Sequence, residues 1–186
     1  MSKRGILILL GVFVVAFALL GVGKCGYGKI ESLQSLEKAA AYTREKYPKA
    51  NPVSVKTLQM YQRGGIPLVL VDIRSQNEFE VSRIPGALHF AKGKGLAEHI
   101  LSLSVKPDQI VIYDSLGFRS AKFTDSLSAN EVPGAVHLEG GVFEWANRGL
   151  PLIDAEGKPA KKVHPYNKTW GRLLKEELRM SLEETN

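Results

Sequence analysis

The chain has 186 residues, 44% of them hydrophobic and 24% charged, which is the profile of a folding chain and excludes wholesale disorder. Its single cysteine, Cys25, excludes an internal disulfide framework, a cysteine-based zinc site and a CxxC redox centre. The formal charge of +6 suits nucleic acid, a membrane surface or neither, and alone selects none of them.

Residues 5–23, GILILLGVFVVAFALLGVG, carry no charged or polar side chain. As a helix these nineteen residues would span roughly 28 Å, close to the ~30 Å hydrocarbon core of a bilayer. Lys3 and Arg4 precede the run, as in a secretory signal or a signal anchor. Gly21 and Gly23 would allow cleavage after Gly23, but the long Leu/Val/Phe-rich run favours an uncleaved transmembrane anchor. Lys24 stands where a lipidated Cys25 would need a small residue, so Cys25 reads as a juxtamembrane thiol or palmitoylation site. Basic residues flank both ends of the span. The short N-terminal tail favours a single-pass arrangement with the remaining chain outside the cytoplasm, on the periplasmic side.

Residues 24–53 read as a juxtamembrane helix and linker, the helix being a stalk or the first helix of the domain, with a solvated helix the favoured reading. Within them ESLQSLEKAAAYTREKY (31–47) has a weak helical stripe of Leu33, Leu36 and Ala40 that Pro48 and Pro52 end. Ser54 is placed to cap a short helix that stops at Gly64-Gly65. LVLVDI (68–73), QIVIY (109–113) and AVHL (135–138) are continuous apolar runs of the kind found in strands buried on both faces. ALHF (87–90) is a shorter strand. Helical stretches are expected from Ser75, over 95–103, from Ser120 to Ser128 and over VFEWANR (142–148). This alternation predicts an α/β domain with a small parallel sheet and helices on both faces. Beyond it, residues 153–186 form a basic extension in which Leu173, Leu174, Leu178 and Leu182 suggest an amphipathic C-terminal helix.

Ligands in such sheets collect where strand ends feed helix N-termini. The loop Asp114-Ser115-Leu116-Gly117-Phe118-Arg119-Ser120 follows a buried strand and opens a helix. Inward-pointing N–H groups and the helix dipole would form an anion cradle there, with Arg119 as a forked donor across it. The competing reading is an ordinary turn with Arg119 in a structural ion pair.

Three segments resemble the rhodanese-like domain family. LVLVDIRSQNEFEVSRIPGALHF resembles its first signature, through Asp72, Arg74, Glu78, Phe79, Ile84, Pro85, Gly86, Ala87 and His89. VIYDSLGFRSAKF resembles its active-site loop, and HLEGGVFEWANRGLPL its closing signature, through Gly140, Gly141, Trp145, Gly149 and Pro151. The resemblance covers about residues 54–152, and the tail KVHPYNKTWGRLL resembles an extension of some bacterial members. It implies a rhodanese-like fold and relation to sulfurtransferases, whose loop C-x-x-G-x-R-S begins with a cysteine that carries sulfur as a persulfide. Asp114 stands at that position here. A carboxylate cannot carry a persulfide, and the Asp-x-Asp pattern of aspartyl-phosphate chemistry is absent. The six positions from Asp114 to Arg119 also match the family's sulfur-sized loop, not its longer phosphatase version. Asp114 is therefore expected to fill the cradle as a built-in anion, giving a catalytically inactive binding or scaffold module. The alternative is a sulfurtransferase or anion-processing enzyme using Asp114 and Arg119.

Asp72, Arg74 and Glu78 could orient a substrate, but a buried ion-pair network bracing the cradle is the favoured reading, with Trp145 as core or pocket wall. Ser115 and Ser120 lack a partner base in sequence, and helix capping suffices for Ser120. His89, His99, His137 and His164 have no metal-ligand spacing, so neither a metal nor a cofactor is expected. Residues 157–175 carry Lys158, Lys161, Lys162, Lys168, Arg172 and Lys175 with no acidic residue. That stretch suits anionic lipid or an acidic protein partner, unless it simply wraps its own domain. Nucleic acid is not expected, since no aromatic platform interleaves the basic residues.

Overall fold

The computed structural model describes residues 33–182 except 105, 128–131 and 133. The candidate transmembrane run 5–23 and Cys25 lie outside the described residues. Among the described residues no helix is long and apolar enough to cross a membrane.

Among the described residues five parallel strands form one sheet in the order β1-β5-β4-β2-β3. They are β1 (Pro52–Val53), β2 (Leu68–Asp72), β3 (Leu88–His89), β4 (Gln109–Tyr113) and β5 (Ala135–Leu138). The central strands are buried on both faces. Val71, Ile110 and Ile112 pack with Leu96 and Ile100 of the Leu96–Ser102 helix and with Phe123 of the Phe118–Ser126 helix. Residues of opposite parity, Leu70, Asp72, Val111 and Tyr113, are also buried. This double burial is why the two strands read as uninterrupted apolar runs.

Register places Asp72 beside Tyr113, so the carboxyl ends of β2 and β4 finish level. β2 lies between β3 and β4, and the chain leaving β2 turns to one side while the chain leaving β4 turns to the other. The crevice between those two strand ends is where a doubly covered parallel sheet assembles a site. Arg74 and Glu78 arrive there from β2, and residues 114–120 from β4.

Three sequence expectations change. First, the segment expected as a linker contributes to the domain: the helix Leu36–Lys46 buries Ala39, Ala40 and Thr43, and Pro52–Val53 pairs with His137–Leu138. Tyr42 stacks on Phe118 at 6.1 Å, and Arg44 pairs with Glu139. Second, the amphipathic C-terminal helix does not form over the described residues. The extension makes only a four-residue helical turn, Lys168–Gly171, and a short 3-10 turn, Glu176–Leu178. Its backbone pairs with itself instead: Val163 N–H donates to Leu178 O and Met180 N–H to Val163 O. Asn147 then clasps it to the domain, donating to Leu173 O and accepting from Lys175 N–H. Of the four leucines, Leu174 alone is buried, so they do not form one apolar helical face. Third, the helix after β4 starts at Phe118, not Ser120, because Gly117 at φ 88 supplies the left-handed residue that turns the loop into the helix.

Candidate functional site: a cradle occupied by Asp114

Asp114 leaves β4 with its side chain fully buried and turned into its own loop. Its Oδ1 accepts from Ser120 N–H at 3.1 Å and from the Ser120 hydroxyl at 2.7 Å. Its Oδ2 accepts from Leu116 N–H at 3.4 Å and from Arg119 N–H and Nε–H, both at 3.3 Å. The donors that make such a loop an anion cradle are thus directed at a carboxylate belonging to the loop itself. Ser120 does not cap the helix. Its hydroxyl donates to Asp114, which corrects the capping role expected for it.

Local sequence explains the geometry. Leu116 and Phe118 are almost fully buried, anchoring a loop whose Leu116, Arg119 and Ser120 N–H groups turn toward Asp114. A Cβ on Gly117 would stand 2.9 Å from Leu138 O. One on Gly141 would lie 2.2 Å from Asp114 O. These two glycines let the closing segment lie against the loop backbone, where Val142 N–H and Phe143 N–H donate to Asp114 O and Ser115 O.

Arg119 ties the loop to the segment after β2. Its two terminal nitrogens donate to Glu78 at 2.8 and 3.3 Å, and one also donates to the Ser115 hydroxyl oxygen at 3.0 Å. Ser115 donates in turn to Glu78 Oε1 at 2.8 Å. Glu78 is fixed from its own side by a capping box, accepting from the N–H and hydroxyl of Ser75. Burial opposes the Glu78 charge, yet the Arg119 hydrogen bonds and the charges of Arg119 and Arg74 bring its pKa down to about 2. Burial likewise opposes the Arg119 charge, but Asp114 and Glu78 hold that guanidinium protonated. Ser115 therefore does have a carboxylate partner that sequence separation concealed. A carboxylate held so acidic is a poor general base, so the pair does not make a nucleophile.

Asp72 and Arg74 form a wholly buried bidentate pair, at 2.6 Å for the shortest contact, and Arg74 also donates to Ser82 O. Arg74 bears on the loop electrostatically, through Glu78, with no hydrogen bond to it among those described. Trp145 is buried and donates to Pro151 O at 2.8 Å, bracing the turn after its helix and not the loop. His89 bonds to Arg74 O and stacks on Phe79. Among the described residues no group of three His, Cys, Asp or Glu side chains is placed to hold a metal.

Two residues that sequence reading left out of the site belong to it. Tyr166 lies with its ring 4.7 Å from the Arg119 guanidinium carbon, and His164, mostly buried, sits within the fields of Glu78, Arg74 and Arg119. Burial lowers the His164 pKa.

With this geometry in place, the comparisons agree on its class. A family model of the rhodanese-like domain matches residues 55–148, half of the chain, and the chain belongs to that family. It is 32% identical over 94 residues to a sulfurtransferase of Allochromatium vinosum, a match covering 48% of this chain and 82% of that protein. It is 29% identical over 109 residues to a probable adenylyltransferase/sulfurtransferase MoeZ of Mycobacterium tuberculosis, covering 55% of this chain and 26% of that one. Among solved structures, thiosulfate sulfurtransferase from Pseudomonas aeruginosa matches with a TM-score of 0.54 at 18% identity, over 65% of this chain and 23% of that chain. The likeness to that structure is one of fold. The chain thus spans about a quarter of these last two proteins.

Proposed function

We propose that this chain is a membrane-anchored rhodanese-like module that has given up sulfur transfer and acts by binding, as a scaffold. The observation that carries the reading is the occupancy of the cradle by Asp114, whose carboxylate takes five hydrogen bonds from Leu116, Arg119 and Ser120. A cradle so filled offers an incoming anion no free donor from that set. It also repels one. Asp72, Glu78 and Asp114 against Arg74 and Arg119 leave a formal charge of −1 around the loop. A substrate anion ~4 Å from Asp114 meets about 4 kcal/mol of repulsion at an effective dielectric of ~20, roughly a thousandfold in affinity.

Chemistry supports the same conclusion. Persulfide transfer needs a thiolate in the loop, and the chain's lone cysteine is Cys25, far from it in sequence. Anchoring is supported by the uninterrupted apolar run 5–23 behind Lys3 and Arg4. With the soluble part on the periplasmic side, its partner would be a membrane-surface or periplasmic protein. The exposed cations Lys158, Lys161, Lys162, Lys168, Arg172 and Lys175 supply a surface for an acidic protein or anionic lipid.

The test is thiosulfate:cyanide sulfurtransfer by the full chain beside its Asp114→Cys variant. The reading expects no turnover above background from the unaltered chain. Robust turnover by it would end the proposal.

A further inference from the structure

Of the seven loop residues 114–120, only Arg119 is not buried. Among the described residues, the exposed approach to the Asp114 carboxylate through its own loop therefore runs past the Arg119 guanidinium, whose side chain keeps 19% of its surface exposed. Tyr166 lies over that guanidinium. It comes from the C-terminal extension, outside the three segments that define the family resemblance.

The backbone under Tyr166 is built to hold it there. Tyr166 has φ 63, a left-handed conformation that is strained for a bulky residue and persists only where its surroundings impose it. Asn167 N–H donates to Pro165 O at 2.7 Å, closing a three-residue turn with Tyr166 at its apex. Tyr166 N–H is taken up by His164 Nδ1 at 3.0 Å, and the ring rests on Trp170 at 4.4 Å between centroids. Gly171 lets the following turn pack on Pro165, where a Cβ would come to 2.7 Å from Pro165 Cβ. The clasp by Asn147 and the Val163 pairings secure the remainder of the segment.

We infer that residues 163–180 form a strap whose Tyr166 covers the approach to the cradle past Arg119, and that the site opens by local release of this strap. Strain at Tyr166 favours release, while the cation–π contact with Arg119 and the clasp oppose it, which is the balance a lid requires. The inference rests on the proposed cradle only for the location of Arg119. Sulfurtransfer by the unaltered chain would sink the inert reading and leave the strap standing.

The experiment reads Arg119 directly. Full-chain protein and its Tyr166→Gly and Tyr166→Phe variants are treated with phenylglyoxal, and Arg119 modification is timed by peptide mass spectrometry. Glycine accepts the positive φ, so Tyr166→Gly removes the ring without demanding a new backbone. Its Arg119 should react about tenfold faster, between the scales of an exposed and a desolvated cation–π contact, while Tyr166→Phe stays at the unaltered rate. Native-state hydrogen exchange of the unaltered chain supplies the second measurement and decides alone should Tyr166→Gly not fold. The Val163, Gly171 and Met180 amides should exchange through an opening well below global unfolding, while Ile112 exchanges only with the whole domain. An unchanged Arg119 rate in folded Tyr166→Gly overturns the inference. So does strap exchange that coincides with global unfolding, which would make Tyr166 a fixed wall.

Discussion

Ser120 holds Asp114 twice through one oxygen, by its backbone N–H at 3.1 Å and its hydroxyl at 2.7 Å. The hydroxyl bond is charge-assisted and wholly buried, a setting in which one hydrogen bond contributes about 1.5–3 kcal/mol. Ser120→Ala should lower unfolding free energy by about that amount in urea titrations. A loss below ~0.5 kcal/mol, the range of a neutral surface change, would mean that the carboxylate is not gripped as described.

Glu78 makes the domain acid-sensitive. Its folded pKa lies at about 2, below the ordinary 4.5, so the stability it lends is complete above 4.5 and lost as pH falls from there through 2. The full shift corresponds to about 3 kcal/mol. Glu78→Gln should be less stable at pH 7 but should lack this slice of acid dependence. Parallel pH–stability curves for the two proteins would contradict the ion-pair account.

Gly141→Ala tests how closely the closing segment must approach the loop. The added methyl would lie 2.2 Å from Asp114 O and 2.7 Å from Ser115 O, both backbone atoms that cannot step aside. A loss of at least about 3 kcal/mol is expected, roughly 6–12 °C in Tm for a domain of this size. Thermal unfolding of the variant at near wild-type temperature would show that the approach is looser.

His137 is buried with no hydrogen-bond partner for Nδ1 among the described residues, and burial lowers its pKa from 6.5 despite the nearby Asp114 and Glu139 charges. The unfolded chain takes up that proton first, so stability should fall as pH drops below 6.5. In an NMR titration of the folded protein the His137 ring should take up its proton at a lower pH than an exposed histidine, with a midpoint below 6.5. A midpoint at or above 6.5 would refute this.

Much of the domain was legible because its strands are buried on both faces. QIVIY and AVHL coincide with β4 and β5 to the residue, since a parallel strand covered on both faces must be continuously apolar. β1 left no such trace, being two residues long and beginning with Pro52. Asp72, Arg74 and Glu78 read as one network, whereas the geometry divides them, Arg74 pairing with Asp72 and Glu78 with Arg119, because pairing partners across 41 positions leave no local signal. The periodic leucines of the tail misled because Leu174 is buried by a fold-back that pairs Val163 with Leu178 and Met180, a contact invisible to local periodicity. Tyr166 was hidden for a related reason: a tyrosine at positive φ gives no sequence signal, and its target Arg119 lies 47 positions earlier.

The central claim is that the carboxylate of Asp114 keeps anions out of a cradle otherwise made for them. Isothermal titration of thiosulfate into the unaltered chain and into Asp114→Ser measures this directly. The account predicts no saturable binding by the unaltered chain and a gain of at least about a hundredfold in the variant, within the thousandfold that the lost repulsion allows. Saturable binding by the unaltered chain, as tight as in Asp114→Ser and abolished by Arg119→Gln, would contradict it.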